Sequence, residues 1–198
     1  MRSVIVGADR KGRCWWCGDD PTYVAYHDQE WGRPLHDERQ LYALLVLEGF
    51  QAGLSWITIL RKRPAFERAF DGFDPEKVAA YGPSDIERLL ADPGIVRHRA
   101  KCQMAVTNAQ ATLALWDEGG TIDGLCRRFA PPPRPRRLRP EDEFPAVTPE
   151  STALSNELRR RGFSFIGPTV AYAHMQSAGY VDDHLEGCWV PEPPPPRP

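Results

Sequence analysis

An all-α fold is what this sequence predicts, and three observations predict it. Apolar residues recur at helical spacing, i, i+3, i+4 and i+7, through most of the chain. Capping and stopping residues bracket those windows where helices would begin and end. No stretch alternates apolar and polar residues as a half-buried strand would, and the one Val/Ile-rich candidate is residues 3–6.

The elements follow in order. Asp37 caps a helix through ERQLYALLVLEGF, with Gly49 near its end. A second helix starts near Ser55, and Pro64 should break or restart it. Ser84 caps IERLLAD. After Pro93 and Gly94 a long helix runs from about Arg97 to Asp117 and stops at Gly119 and Gly120. Thr148 with Pro149 starts the next, which Gly162 stops. Pro168 opens the last long helix and Gly179 closes it. Residues 130–146, APPPRPRRLRPEDEFPA, are rich in proline and charge and read as an exposed loop. The tail PEPPPPRP reads as extended or disordered. The expected organisation is an N-terminal extension over 1–12, one domain over 13–189 and a proline-rich tail over 190–198.

Bulk properties narrow the class. With 198 residues, 41% of them hydrophobic, the chain can bury a real core. No run of 18 apolar residues exists, so no membrane span is expected. The opening MRSVIVGADRKGR has too short an apolar stretch for a secretory leader, which points to the cytoplasm. There, five cysteines favour metal or free thiols over disulfides. A net charge of −2 argues against a general nucleic-acid sponge. Arginine and lysine still cluster locally, densest from Arg127 to Arg139, and local basic faces can grip phosphates. Each cluster alone reads more simply as a solvated face.

Residues 14–32, CWWCGDDPTYVAYHDQEWG, concentrate the chemistry: two thiols, one imidazole, three indoles, two phenols and four carboxylates. Thiols and imidazole suit a metal, and clustered rings suit a flat or cationic ligand. His184 and Cys188, at i and i+4, would share one side of a helical turn. Zinc takes four such ligands in closed structural sites. Local spacing favours Cys14, Cys17, His184 and Cys188, and the rival set is Cys14, His27, His184 and Cys188. Cys14 and Cys17 lack the βαβ context of a redox pair.

Glu48 shares a helical stripe with Leu41, Leu44 and Leu45, where an apolar residue belongs. Burying an unpaired carboxylate is costly, so Glu48 should face a pocket. Beyond it, Gln51, Gly53 and Leu54 form a turn in which Leu54 is either an exposed wedge or the first core residue of the next helix. The helix–Pro-Gly–helix segment near Gly94 could present backbone N–H groups to a phosphate, with Arg97, Arg99 and Lys101 nearby.

YVAYHDQEWG (23–32), LEGFQAGLSWITIL (47–60), GIVRHRAK (94–101), RRGFSFIGPT (160–169) and DDHLEGC (182–188) occur in that order. Together they resemble the 3-methyladenine DNA glycosylase I family, often called Tag, a branch of the helix-hairpin-helix glycosylases, across about residues 13–189. The resemblance implies a monofunctional enzyme without lyase activity. It would remove N3-methyladenine from double-stranded DNA by base flipping, most simply as a monomer. It implies a structural zinc ion, Zn2+, held by Cys14, His27, His184 and Cys188, which demotes Cys17 to a bystander. It maps the base pocket onto Glu48, Tyr23, Tyr26, Trp31 and Trp56, with Trp16 beside them, and the catalytic roles onto Glu48 and Tyr26. It assigns DNA contacts to Gln51, Gly53, Leu54, Gly94, Arg97, Arg99 and Lys101. No aspartate suited to activating water follows the hairpin, so Glu48 reads as a recognition and electrostatic residue. The alternative reading is a zinc-stapled module that binds DNA or a modified base without catalysis. A catalytic zinc is disfavoured because four protein ligands close the site.

Overall fold

Side-chain caps set most of the helix starts in the computed structural model, which describes residues 3–191. Asp20 accepts from the Thr22 and Tyr23 amides and opens α1, Pro21–Gln29. Asp37 accepts from the Gln40 amide and opens α2, Glu38–Gln51. Then come α3, Trp56–Ala69; α4, Pro75–Ala79; α5, Pro83–Ala91; and α6, Arg99–Asp117. They are followed by α7, Ile122–Phe129; α8, Pro149–Arg160; and α9, Pro168–Ser177. Thr148 and Ser151 cap α8 reciprocally. Most of the proline-rich tail lies outside the described residues.

Several expectations need correction. The fold is mostly helical, but Val4–Val6 (β1) pairs antiparallel with Gly12–Cys14 (β2), Val4 opposite Cys14. The supposed extension thus makes a hairpin that runs into the domain. Pro64 does not break α3, because Ile59 and Leu60 before it and Phe66 and Ala69 after it are all anchored in the core. That burial outweighs one lost backbone bond. The cap of α5 is Gly82, to whose amide Asp85 reaches back at 3.0 Å, and not Ser84. Helices α1, α4 and α7 were not expected. The inner face of α1 is Tyr26 and His27 instead of aliphatic residues, and α4 is too short to show a period.

The core surrounds α2, which packs against α3, α6, α7 and α9. Tyr42, Leu45, Val46 and Phe50 are fully buried on it, and the Tyr42 hydroxyl donates to the Ala105 carbonyl at 2.9 Å. Phe50, Phe66, Phe70 and Phe73 form a ring-on-ring cluster beneath. This packing holds Glu48 on a rigid helix.

A smaller apolar cluster joins Cys14, Leu185, Cys188 and Val190, with Trp15, Leu138, Phe144 and Trp189 against it. The loop 130–146 therefore is not simply exposed. Leu138 bridges in parallel to Leu185, and the Glu186 amide donates to the Leu138 carbonyl at 2.9 Å. Arg137 is buried, with Nε on Asp182 at 2.9 Å and Nη1 on the Val190 carbonyl at 2.7 Å. Arg134 pairs with Asp183 and Arg139 with Glu186. Three of the loop's arginines, Arg134, Arg137 and Arg139, thus strap down the C-terminal segment, while Arg136 pairs with Asp142 inside the loop.

Candidate active site and metal cluster

Helices α1, α2, α3 and α9 and the segments around them line an open cavity of about 300 Å³. Tyr23 and Tyr26 come from α1, Glu48 from α2, Trp56 from α3, and Trp16 and Trp31 from the segments flanking α1. All six sequence-nominated pocket residues line it. The rings meet at angles: Trp16 lies 4.8 Å from Trp31 and 5.1 Å from Tyr23, and Tyr26 lies 5.7 Å from Trp56. Tilted rings leave π faces turned into the space, which suits a flat cation.

Glu48 is 4% exposed, and its one hydrogen-bond donor among the described residues is Ser177 Oγ, 3.1 Å from Oε1. Burial pushes its carboxyl up to about 8, against the smaller opposing pull of that hydrogen bond. Among the described residues, no arginine, lysine or histidine lines the cavity. The Tyr26 hydroxyl donates to Ser177 Oγ at 3.0 Å, and burial pushes both phenols up, Tyr23 to about 12, so both are neutral near pH 7. Trp56 Nε1 is buried without a hydrogen-bond partner among the described residues. An under-satisfied carboxylate and an indole N–H within a ring-lined cavity favour a ligand that is flat, positively charged and able to hydrogen-bond.

Seven further lining residues escaped the sequence reading, among them Ser177, Asp183, Phe144 and Pro145. Asp183 is a second buried carboxylate, but it is fully engaged. It accepts from Tyr172 at 2.7 Å, from Gln176 and from Arg134. Its role is to tie the loop to α9. Phe144 packs edge-on to Trp15, ring centroids 5.3 Å apart, and closes the rim.

Behind Trp31 lie Cys14, His27, His184 and Cys188, all buried, with one ligand atom each inside a 4.8 Å span. Cys188 Sγ is 3.5 Å from both His27 Nε2 and His184 Nδ1, and Cys14 Sγ is 3.8 Å from His184 Nδ1. A tetrahedral zinc with ordinary Zn–S and Zn–N bonds requires S···N edges of about 3.6 Å, so the donor set fits. The hydrogen bond between the two thiols holds Cys14 up and draws Cys188 down. A bound cation would let both ionise.

The surroundings orient each ligand. His27 Nδ1 meets Asp28 Oδ1 at 2.8 Å, turning Nε2 inward, and His184 Nε2 meets the Trp31 carbonyl at 3.2 Å, turning Nδ1 inward. Burial pushes the Asp28 carboxyl up, but hydrogen bonds from Arg13, His27 and Trp189 outweigh it and bring it to about 2. His184 and Cys188 do not share a helical turn as expected. Leu185 sits in a bridge, and Gly187 at φ +85° turns the chain back toward the cluster. Cys17 stands outside, its thiol donating to the Cys14 carbonyl at 3.2 Å.

The nominated DNA contacts divide. Gln51 ends α2, and Gly53 and Leu54 lie in the turn to α3, where Leu54 is 42% exposed and so is not a core residue. Arg97 and Arg99 are exposed beside the α5–α6 turn, with Arg99 paired to Glu87 at 2.8 Å. Gly94 sits in that turn, its amide donating to Asp92 and its carbonyl accepting from Lys62 Nζ at 3.1 Å. Lys101 is a correction. It is 7% exposed, and Nζ donates to the Phe50 and Ala52 carbonyls at 2.9 and 2.6 Å. It caps the C-terminus of α2 and holds the turn that follows, so its ammonium is turned inward and not toward phosphate.

Comparison with known proteins agrees with this geometry. Residues 16–191 match the family model described as methyladenine glycosylase. DNA-3-methyladenine glycosylase 1 of Escherichia coli (strain K12) is 45% identical over 177 residues, covering 89% of this chain and 95% of that protein. A solved phenylalanine-for-tyrosine variant of 3-methyladenine DNA glycosylase I, in complex with 3-methyladenine, superposes at TM-score 0.85. It shares 37% identity and covers 91% of this chain and 98% of its own. The 3-methyladenine DNA glycosylase I from Staphylococcus aureus superposes at 0.83 with 39% identity, covering 88% of this chain and 94% of its own. With family model, relatives and fold in agreement along nearly its whole length, this chain belongs to the methyladenine glycosylase family.

Proposed function

We propose that this chain is a DNA-repair glycosylase that hydrolyses the N-glycosidic bond of N3-methyladenine in alkylated duplex DNA. The observation that carries the reading is Glu48, a buried carboxylate with one hydrogen-bond donor, in a ring-lined cavity free of cationic side chains. Methylation at N3 makes the base in DNA a cation and weakens its bond to the sugar. The flipped cation gains from ring faces and from the carboxylate, whereas neutral adenine gains little from either. A cation beside Glu48 also favours the ionised carboxylate, so binding the lesion and charging Glu48 reinforce each other. Selectivity then arises from differential binding, strongest as positive charge meets Glu48. Water displaces the base at the sugar, with no covalent enzyme intermediate and no strand cleavage.

Leu54 and Gln51 fill the gap left by the extruded base, and the α5–α6 turn with Gly94, Arg97 and Arg99 meets the backbone in helix-hairpin-helix fashion. Cys14, His27, His184 and Cys188 hold a structural zinc that ties the N-terminal hairpin to the C-terminal segment. The cavity needs residues from one chain only, which supports a monomer. No described helix is long and apolar enough to cross a membrane.

The test is incubation of the zinc-loaded protein with methylated duplex DNA and chromatography of the released bases. Free N3-methyladenine supports the proposal. Lesion binding without release would assign a non-catalytic module instead.

A further inference from the structure

We propose that Ser177 is a positioning and specificity residue that couples the charge on Glu48 to the hydrogen-bonding polarity of Tyr26. The inference rests on reading the cavity as a base pocket.

Ser177 ends α9, is 9% exposed, and lies between the two residues, its Oγ 3.0 Å from the Tyr26 hydroxyl and 3.1 Å from Glu48 Oε1. A serine hydroxyl has one proton to give. An ionised Glu48 only accepts, so Ser177 must donate to it. Ser177 then accepts from Tyr26, whose oxygen is left with acceptor capacity only. A protonated Glu48 can donate to Ser177, whose proton turns to Tyr26, and the Tyr26 O–H is released as a donor. The line therefore has two polarities set by one charge. The ionised polarity offers acceptors at both Glu48 and Tyr26, matching a cationic methylated adenine that presents N–H groups. The neutral polarity does not. Ser177 also occupies Oε1, so Oε2 is the oxygen left for the base.

The neighbouring charges are paired: Glu30, at the end of α1 and felt by Tyr26, is held by Arg63 of α3. Tyr23 of α1 is neutral, Asp183 is engaged by Arg134, Tyr172 and Gln176, and Trp56 of α3 carries no charge. On α6, Lys101 is bound to carbonyls at the end of α2, and the Glu38 carboxylate meets α7 amides at the far end.

The experiment compares wild type, Ser177→Ala, Ser177→Thr, Tyr26→Phe and the Tyr26→Phe/Ser177→Ala double variant. It measures kcat and KM for N3-methyladenine release from methylated duplex DNA, and inhibition by free 3-methyladenine against free adenine. Loss of one buried hydrogen bond predicts kcat lower by about tenfold in Ser177→Ala, KM for DNA within about twofold, and a preference for 3-methyladenine lower by about tenfold. Threonine should restore these values, and the double variant should be no worse than the poorer single one. Wild-type kcat and preference in Ser177→Ala overturn the proposal, as do additive losses in the double variant, whatever threonine does. Absence of release by wild type itself would instead overturn the underlying glycosylase reading, and this inference with it.

Discussion

The ring-lined cavity and the Cys/His cluster share a wall, yet they treat buried polarity in opposite ways. Around the cluster both histidines have oriented neighbours, Asp28 under His27 and the Trp31 carbonyl under His184; Arg13 and Trp189 in turn hold Asp28, and the Leu185 amide donates to Cys14 Sγ. Around the cavity, Glu48 has one donor and Trp56 Nε1 has none. Saturated polar networks fix a single geometry, whereas unsatisfied groups store free energy that a ligand can release. The first region behaves as architecture and the second as a binding site.

The largest effect that would break this division lies in the cluster. His27→Ala should lose zinc and cost at least ~5 kcal/mol, while Cys17→Ala keeps the metal, as read by metal analysis and thermal unfolding. Zinc loss in the Cys17 variant would reinstate the set that spacing favoured.

Next is Glu48 in the folded state. Its carboxyl sits at about 8, above its ordinary 4.5, so the folded protein binds the extra proton between those values. Wild-type stability should therefore fall as pH rises through that window. Glu48→Gln should gain relative to wild type over the same window, by on the order of 5 kcal/mol at its upper end. A difference independent of pH would show that Glu48 is not buried as a costly charge.

Arg137→Ala should cost about 3–5 kcal/mol by stranding Asp182 and freeing the segment that carries Cys188. An effect below about 1 kcal/mol would return the loop to the status of a solvated surface.

The smallest effect concerns His174 on α9, buried with neither ring nitrogen partnered, where burial pulls its imidazole down to about 3. The folded state rejects the proton there, so stability held above about pH 6.5 is lost as pH falls toward 3. His174→Leu should resist acid, gaining about 2 kcal/mol over wild type at pH 5 relative to pH 8 in denaturant titrations. Equal acid sensitivity would place that loss elsewhere.

What the sequence disclosed follows from which interactions are local. Asp37 as a cap and Glu48 in an apolar stripe depend on neighbours within two turns, and both were legible. The choice between Cys17 and His27 was open on spacing, because the path of the β1–β2 hairpin decides which side chain turns inward. Ser177 and Asp183 were invisible because the first meets Tyr26 and Glu48 from 151 and 129 residues away, and the second is held by Arg134 from 49. Lys101 and Arg137 misled for one reason: a basic residue in a charged run looks solvated until its carbonyl and carboxylate partners are seen.

The central claim is that Glu48 performs recognition while the metal cluster performs architecture. Its most direct test is the rate of N3-methyladenine release from methylated duplex DNA by wild type and Glu48→Gln, with zinc content measured on the same samples. The account predicts full zinc in both and release slower by about 100-fold in the variant, the equivalent of ~2.7 kcal/mol. Equal release rates at equal zinc content would contradict it.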